Sequence, residues 1–350
     1  MAPTPTNPAR RRLLALAAAG AAYSPMAKLL AAAGALDKPG VAAGYGPLLE
    51  AVDENTGKPL LKLPKGFRYT SFAWKDEKTA DGVVIPGAAD GMGVVGEKDG
   101  IVTLVRNQEI KRLDGAFGDK AFQYDPKASG GTLTLRFDTR RGRFVDARAS
   151  LSGTMQNCAG GTTPWGSWIS CEEFVAQPGT PVAVGGKMVD CDRPHGFAFE
   201  VPGDGVSNAM PIKDMGQFRH EAATVHEKTG NVYLTEDHYL EAGFYRFIPN
   251  VPGQLAKGGR LQMLKVEGRT DLRRDLKQGQ KFKVAWVDIE KPDAGVDPLD
   301  GEARGVQRQG FRQGAARFTR LEGCLVSTSK CNTPTSVRCC DGKTIQPLES

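Results

Sequence analysis

The stretch that decides the fold is Gln156–Glu173, which reads QNCAGGTTPWGSWISCEE. It places the thiol of Cys158 ahead of a Gly/Thr/Pro turn, a short aromatic strand and two adjacent acids, Glu172 and Glu173. The same order of a ligand-type residue, a turn, a strand and a terminal acid recurs at residues 220–237. A repeat that carries metal-ligand residue types at equivalent places predicts one site to which both copies contribute.

The second copy contains Glu221, a turn at 228–231, a strand at 232–235, and the acids Glu236 and Asp237. Each copy therefore ends in two adjacent acids, Glu172 and Glu173 in the first and Glu236 and Asp237 in the second. Adjacent residues on a regular strand point to opposite faces. At most one acid of each pair is expected to face the site, unless the strand ends there in a loop.

A third copy lies upstream, where the apolar strand 101–108 ends in Glu109. The spacing from Glu109 to Glu173 and from Glu173 to Asp237 is 64 residues in both cases. Each acid is followed by an outer-strand pattern, at 132–138, 196–202 and 243–249. Regular repeats of short strands and turns are typical of propellers and solenoids. The sequence therefore predicts an all-β fold, a β-propeller whose blades carry long excursions.

The formal net charge of +6 is concentrated at the two ends of the chain. Residues 1–38 contribute +4 and residues 323–350 contribute +1, which leaves residues 39–322 close to neutral. A near-neutral body without a basic stripe argues against nucleic acid as a partner. We expect a small-molecule partner instead.

The N-terminal residues 1–38 are predicted to be a twin-arginine-type signal peptide and linker. Three arginines, Arg10–Arg12, precede an Ala/Gly-rich and weakly apolar segment, which favours the twin-arginine export machinery over an ordinary Sec signal or an amphipathic start. Pro25 and Lys28 interrupt any apolar run of the ~20 residues that span a bilayer. The mature protein is therefore expected to be periplasmic or secreted, without stable membrane insertion.

The seven cysteines include no CxxC pair, so a zinc ribbon is not indicated. In an exported protein a disulfide is allowed, and we expect one between Cys171 and Cys191. Cys158 then remains free as a ligand, although a buried structural thiol is the alternative reading. His195 and the other three histidines lack zinc-binding spacing and are interpreted as supporting or surface groups.

Five segments carry a resemblance to a known family: Val105–Glu109, Asn157–Gly166, Cys171–Glu173, His220–Ala222 and Thr319–Gly323. Together they resemble the PhoX-type alkaline phosphatases. The resemblance implies an exported, monomeric, six-bladed propeller over residues 39–323. It also implies a central cluster of ferric iron, Fe(III), and Ca2+ that hydrolyses small phosphate esters.

The resemblance also implies residue roles. Cys158, Glu221 and Glu322 would be iron ligands, and Arg320 would face the substrate phosphate as the catalytic residue. The remaining acids would supply iron and calcium ligands: Glu109, Glu172, Glu173, Glu236 and Asp237. The residue chemistry agrees, because ferric iron and calcium prefer anionic oxygens, whereas a thiolate favours a transition metal.

The C-terminal residues 324–350 depart from the repeat. After Glu322 a strand and an acid are expected near residue 336 or 337, but the chain instead reads as a polar, Cys-rich segment. We interpret 324–350 as an atypical tail outside the propeller, with a truncated or altered last blade. A natural tail closed by disulfides is the alternative.

Three other functions compete with an exported metallophosphatase. They are a calcium-stabilised propeller that only binds, a calcium-dependent lactonase-like hydrolase, and an inactive, truncated family member. Neither of the calcium-only functions needs a thiolate ligand or a phosphate-binding arginine. Cys158 and Arg320 therefore favour the phosphatase.

Overall fold

The structure is a computed structural model, and it describes residues 41–42, 46–184, 186–238, 242–268, 280–293, 337–338 and 344–345. Within these ranges the chain forms antiparallel β-sheets joined by turns and short 3-10 segments, and it contains no α-helix. The predicted all-β class is confirmed. No helix formed by these residues is long and apolar enough to cross a bilayer.

The chain divides into two compact units, Met1–Phe72 and Ala73–Ser350. In the first unit, the described strands form one sheet in the order β1-β2-β3, with β1 (Val41–Ala42), β2 (Gly46–Val52) and β3 (Pro59–Pro64). The turn after β2 is held by Asp53, whose carboxylate accepts hydrogen bonds from the backbone N–H groups of Thr56 and Ser71 over 2.9 and 2.6 Å.

The described residues of the second unit form three main sheets, each built from strands that are close in sequence. The first sheet has four strands in sequence order: β4 (Ala89–Lys98), β5 (Ile101–Gln108), β6 (Gly130–Asp138) and β7 (Arg143–Thr154). The second has three strands, β8 (Asn157–Thr162), β9 (Ser167–Glu172) and β12 (Ala198–Pro202). Between β9 and β12 the chain forms a separate hairpin of β10 (Val182–Val184) and β11 (Lys187–Val189). The third has five strands in sequence order: β13 (His220–Val225), β14 (Val232–Glu236), β15 (Phe244–Pro249), β16 (Gly259–Val266) and β17 (Val284–Asp288). A short hairpin of β18 (Val337–Arg338) and β19 (Thr344–Ile345) follows.

The strands predicted at 132–138, 196–202 and 243–249 correspond to β6, β12 and β15. In the turn that follows β6, Gly142 adopts a positive φ of 63°, which glycine tolerates without a Cβ clash. The three predicted outer-strand segments are therefore strands in the structure.

Hydrophobic side chains fill the space between neighbouring sheets. One cluster lies between the four-stranded and three-stranded sheets and includes Val105, Leu151 and Phe199. A second cluster joins the three-stranded sheet to the five-stranded sheet through Ile169 and Leu234. The sheets therefore pack face to face, and the first strand of the middle sheet, β8, contacts the first strands of both neighbours, β4 and β13.

Glycines permit the close approach of these first strands. A Cβ on Gly161 of β8 would lie 1.9 Å from the carbonyl oxygen of Ala223 in β13. A Cβ on Gly91 of β4 would lie 2.7 Å from the Cα of Ala159 in β8. Side chains at either glycine would force the strands apart. Glycine at these two positions is therefore required by the close packing of β8 against β4 and β13.

The predicted disulfide between Cys171 and Cys191 is wrong. Both residues are free, buried thiols. Cys171 packs in the cluster that joins the second and third sheets, whereas Cys191 packs in a different cluster with Met155 and Phe174. The separate clusters keep the two sulfur atoms in separate parts of the core.

Candidate metal centre

The three acids that are spaced by 64 residues make the same backbone hydrogen bond. The amide N–H of Glu109 donates to the carbonyl of Ala88, that of Glu173 to Gln156, and that of Asp237 to Arg219, over 2.7, 2.9 and 3.0 Å. Each bond ties the end of the second strand of a sheet to the start of its first strand. The repeat in the sequence is therefore a repeat in three dimensions.

The repeated bond identifies a residue that the sequence analysis missed. The residue two positions after the accepting carbonyl lies on the first strand of the sheet. This residue is Cys158 in the second sheet and Glu221 in the third. The equivalent residue of the first sheet is Asp90. It escaped detection because 19 residues separate Asp90 from Glu109, compared with 15 between Cys158 and Glu173. The longer β4–β5 hairpin contains two register shifts.

Three of these residues bring their ligand atoms together. The sulfur of Cys158 and carboxylate oxygens of Glu173 and Glu221 all lie within 4.8 Å of one another. The thiol of Cys158 lies 3.7 Å from Oε2 of Glu221 and 3.3 Å from the carbonyl oxygens of both His220 and Glu221. Cys158 is buried and both acids are half-buried. A thiol and two carboxylates from two sheets thus face one small volume.

Gln156 links this group to the acids of the first sheet. Its Nε2 donates to Oε1 of Glu109 over 3.3 Å and to Oε2 of Glu173 over 3.0 Å. Asp90 shares a hydrogen bond with Glu109. The buried Oε1 of Gln156 has no hydrogen-bond partner among the residues that the structure describes. A neutral oxygen donor is therefore available beside the acids.

The acids of the cluster repel one another. Burial, together with the charges of Glu221 and Asp237, raises the pKa of Glu173 to about 7. Burial, together with the charge of Asp90, raises the pKa of Glu109, and burial with the charge of Asp237 raises that of Glu221. The cluster therefore carries more negative charge than its protein surroundings neutralise.

Burial also controls the protonation of the cysteine. The pKa of the Cys158 thiol is raised well above its ordinary value, first by burial and then by the charge of Glu221. The thiol consequently stays protonated at neutral pH unless a cation stabilises the thiolate. A metal ion is the kind of cation that does so.

Two basic side chains, Lys111 and Arg219, lie beside the acids and were also missed. Burial and the charge of Arg219 lower the pKa of Lys111, whereas the charges of Glu173 and Glu109 act in the opposite direction. Nε of Arg219 donates to the carbonyl of Glu173 over 3.3 Å, and Nζ of Lys111 lies 4.6 Å above the ring of Phe174. Their spacing could have identified them in the sequence. Lys111 lies two residues after Glu109, and Arg219 lies two residues before Glu221.

Glu172 and Glu236, predicted as ligands alongside their neighbours, do not join the cluster. The buried carboxylate of Glu172 accepts hydrogen bonds from the backbone N–H groups of Met155, Gly196 and Phe197 and lies 2.7 Å from Nδ1 of His195. Glu236 turns into the third sheet in the same way, where its Oε2 accepts from the N–H of Gly243 and the hydroxyl of Tyr245 over 2.9 and 2.8 Å. Both are the last residues of their strands and face the sheet core, so their neighbours Glu173 and Asp237 face the cluster.

Comparison with protein families settles which family these features belong to. The model of the family described as alkaline phosphatase PhoX matches residues 136–344, more than half of the chain. The chain belongs to the PhoX family. No curated protein and no solved structure matches it.

The PhoX match includes the second and third sheets and therefore Cys158, Glu173 and Glu221. It also includes Arg320 and Glu322, which were predicted as the phosphate-binding arginine and an iron ligand. Both of these lie outside the residues that the structure describes. The predicted signal segment 1–38 lies outside them too, as does the tail 324–350 apart from β18 and β19.

The residues of the centre fit the iron and calcium ions that the PhoX resemblance implies. Carboxylates are the donors that calcium and ferric iron prefer, and one thiol among them suits a transition metal. The side-chain oxygen of Gln156 without a partner offers one more donor. The raised pKa values of Glu173 and Cys158 show a site whose charge a cation would balance.

Proposed function

We propose that this PhoX family member is a metal-dependent phosphatase that hydrolyses small phosphate esters at the centre formed by Cys158, Glu173 and Glu221. The observation that carries the proposal is the approach of a thiol and two carboxylates from neighbouring sheets to within 4.8 Å of one another. A calcium-binding propeller or a lactonase has no use for a thiol at this place.

The side chains divide into two groups by their position. Cys158, Glu173 and Glu221 would hold iron, and the adjoining acids Glu109 and Asp237, with Asp90, would hold calcium. When bound, such ions polarise phosphoryl oxygens and lower the pKa of a bound water. The protein's own contribution is to present these ligands on the rigid ends of strands.

Lys111 and Arg219 supply positive charge beside the acids of the centre. A phosphate ester carries negative charge on several oxygens, and charge-assisted hydrogen bonds from guanidinium and ammonium groups bind such oxygens. We propose that Lys111 and Arg219 orient the phosphoryl group and offset the charge that develops during its transfer. Arg320, which the resemblance implies faces the phosphate, would complete this set.

The wider fold proposal is a β-propeller. The stacking of the three sheets, with β4, β8 and β13 side by side, supports reading them as three consecutive blades around a central channel. Six blades follow from the family resemblance, with the last one formed in part or altered. The N-terminal arginines and the Ala-rich segment that follows support export by the twin-arginine route to the periplasm or beyond.

The test uses the purified full-length chain and two single variants. We expect the wild-type protein to be coloured, to contain iron and calcium, and to hydrolyse p-nitrophenyl phosphate. Cys158→Ala should lose the visible absorption and the activity. Cys171→Ala is the matched control, because Cys171 is also a free, buried thiol but does not belong to the ligand group.

Two results would overturn the proposal. One is a colourless wild-type protein that contains calcium alone. The other is a Cys158→Ala variant that keeps its iron and its turnover.

A further inference from the structure

A second group of metal-ligand side chains lies in the core near β12. A carboxylate oxygen of Asp125, the sulfur of Cys191 and a ring nitrogen of His195 all lie within 4.8 Å of one another, and the three residues are buried. Cys191 and His195 are four positions apart, and Asp125 comes from the loop before β6. The family relationship assigns nothing to this group, and the sequence analysis gave His195 only a supporting role.

The two ring nitrogens of His195 have different surroundings. Nδ1 lies 2.7 Å from Oε1 of Glu172, and Nε2 lies 3.3 Å from Oδ2 of Asp125. Charge-assisted hydrogen bonds of this type span about 2.7–2.9 Å, so the first distance is a strong bond and the second is long for one. A tetrahedral ion with bonds of about 2.0–2.1 Å holds neighbouring ligand atoms about 3.3 Å apart.

Neighbouring groups fix the orientation of the imidazole. Glu172 accepts from Nδ1, and the ring of Tyr124 stands edge-on to that of His195 with centroids 5.6 Å apart. The hydroxyl of Tyr124 is itself held by the carbonyl of Pro194 over 2.6 Å. Nε2 is thus directed at Asp125. A histidine whose second nitrogen is held by a carboxylate is the usual arrangement at protein metal sites.

We propose that Asp125, Cys191 and His195 bind one divalent transition-metal ion, with Zn2+ the ion that this sulfur, nitrogen and oxygen donor set favours. Glu172 orients His195 for the ion through Nδ1. The three side chains supply three of four tetrahedral positions, and a water supplies the fourth.

The charges balance on binding. Without metal the Cys191 thiol is protonated, because burial and then the charge of Asp125 raise its pKa to about 11. Burial alone would lower the pKa of His195, but the charge of Glu172 and the contact with Asp125 outweigh it and raise that pKa to about 9. Entry of one Zn2+ releases one proton from the thiol and one from Nε2 of His195. The net charge of the site is unchanged.

The ion would act on stability rather than on phosphate chemistry. It would tie the Asp125 loop to the segment before β12, next to Glu172. Glu172 is adjacent in sequence to Glu173 of the phosphatase centre. A bound ion stabilises the folded state whenever the unfolded chain binds it less well. Zinc is therefore expected to raise the thermal midpoint of the protein.

The experiment removes the competing thiol of the phosphatase centre first. Three full-length proteins are compared: Cys158→Ala, Cys158→Ala with Cys191→Ala, and Cys158→Ala with Cys171→Ala. Each is stripped with chelator and titrated with Zn2+ and, separately, with Co2+, whose tetrahedral thiolate complexes absorb visible light. Bound zinc, the cobalt spectrum and the thermal midpoint are measured.

We expect the Cys191→Ala protein to bind one zinc fewer than the other two. It should also lose a cobalt–thiolate band and the rise in thermal midpoint that zinc causes. If Cys191→Ala does not fold, the nearly isosteric Cys191→Ser takes its place, with the same expectations. Equal zinc stoichiometry and identical cobalt spectra in the three proteins would overturn the proposal, and so would a zinc-induced midpoint shift that persists without Cys191.

Discussion

The thiol sulfur of Cys158 lies 3.7 Å from Oε2 of Glu221, although the two residues are 63 positions apart and belong to neighbouring sheets. Their strands, β8 and β13, can approach because Gly161 places no side chain against the backbone of Ala223. The packing of the first strands and the chemistry of the centre therefore depend on the same segment.

Gly161→Ala should destabilise the protein and disrupt the metal centre. The added Cβ would meet the carbonyl of Ala223 at 1.9 Å, and backbone shifts that relieve overpacking cost about 1–3 kcal/mol. Thermal unfolding and metal content are the measurements. Gly96→Ala on β4 is the control, because nothing lies within 4 Å of its Cβ position. Equal midpoints and equal metal content for the two variants would show that this close contact is unimportant.

Glu172→Ala and Glu173→Ala should have opposite consequences even though the residues are adjacent. Removing the buried Glu172 leaves His195 and three backbone N–H groups without their acceptor. Loss of one partner of a buried ion pair costs about 3–5 kcal/mol. Denaturant unfolding should show this loss for Glu172→Ala.

Glu173→Ala should instead keep the metal-free protein at least as stable as the wild type, because it removes a source of repulsion, while iron content and activity fall. Unfolding of the metal-free proteins, followed by metal analysis, separates the two roles. A large loss of stability in Glu173→Ala, with metal retained, would reverse our assignment of the pair.

In the metal-free protein, Glu173 should make the stability fall as the pH rises from about 4.5 to about 7. Burial lowers the pKa of His220 to about 4 and acts in the opposite direction up to about pH 6.5, so the contribution of Glu173 is measured as the difference between the wild-type and Glu173→Gln profiles. The folded-state pKa of Glu173 is raised from an ordinary value of 4.5 to about 7. A carboxyl group with a raised folded-state pKa contributes stability that is fully present below pH 4.5 and is lost as the pH rises through 7. Thermal midpoints across this range are the measurement.

Glu173→Gln, which cannot ionise, should remove the contribution that falls with rising pH. Addition of metal to the wild-type protein should do the same, because the cation offsets the repulsion. A profile of the chelated protein that Glu173→Gln leaves unchanged would contradict the electrostatic account of the cluster.

Lys111→Ala and Arg219→Ala should each lower kcat/KM for p-nitrophenyl phosphate by roughly 10- to 100-fold, since a hydrogen bond to a charged group contributes about 1.5–3 kcal/mol. Metal content should stay close to that of the wild type. Arg112→Ala is the control, because Arg112 is an exposed neighbour whose Nε contacts Asp114 over 3.1 Å on the surface. Equal kinetics for all three variants would exclude a role for Lys111 and Arg219 in phosphate binding.

The sequence was most informative where the repeat was regular. The 64-residue spacing predicted that Glu109, Glu173 and Asp237 occupy equivalent places, and their shared backbone hydrogen bonds bear this out. The predicted outer strands were located correctly, and in one of them, β15, buried and half-buried residues alternate as expected for a strand with one buried face. Asp90 was missed because register shifts lengthen the β4–β5 hairpin and break the spacing.

Other features depend on packing that spacing alone does not encode. Sequence could not decide between Glu172 and Glu173, because the choice depends on which face of β9 meets the N–H groups of Gly196 and Phe197. The disulfide prediction failed for a related reason. Cys171 and Cys191 enter different clusters that only the three-dimensional stacking of the sheets separates.

The central claim is that Cys158 and the acids around it form one iron-binding centre. X-ray absorption at the iron K-edge of the purified protein tests it most directly. We predict one sulfur neighbour at a metal–thiolate distance of about 2.3 Å, present in the wild type and in Cys171→Ala and lost in Cys158→Ala. Iron surrounded by oxygen and nitrogen alone in the wild type, or a sulfur neighbour that survives Cys158→Ala, would contradict the account.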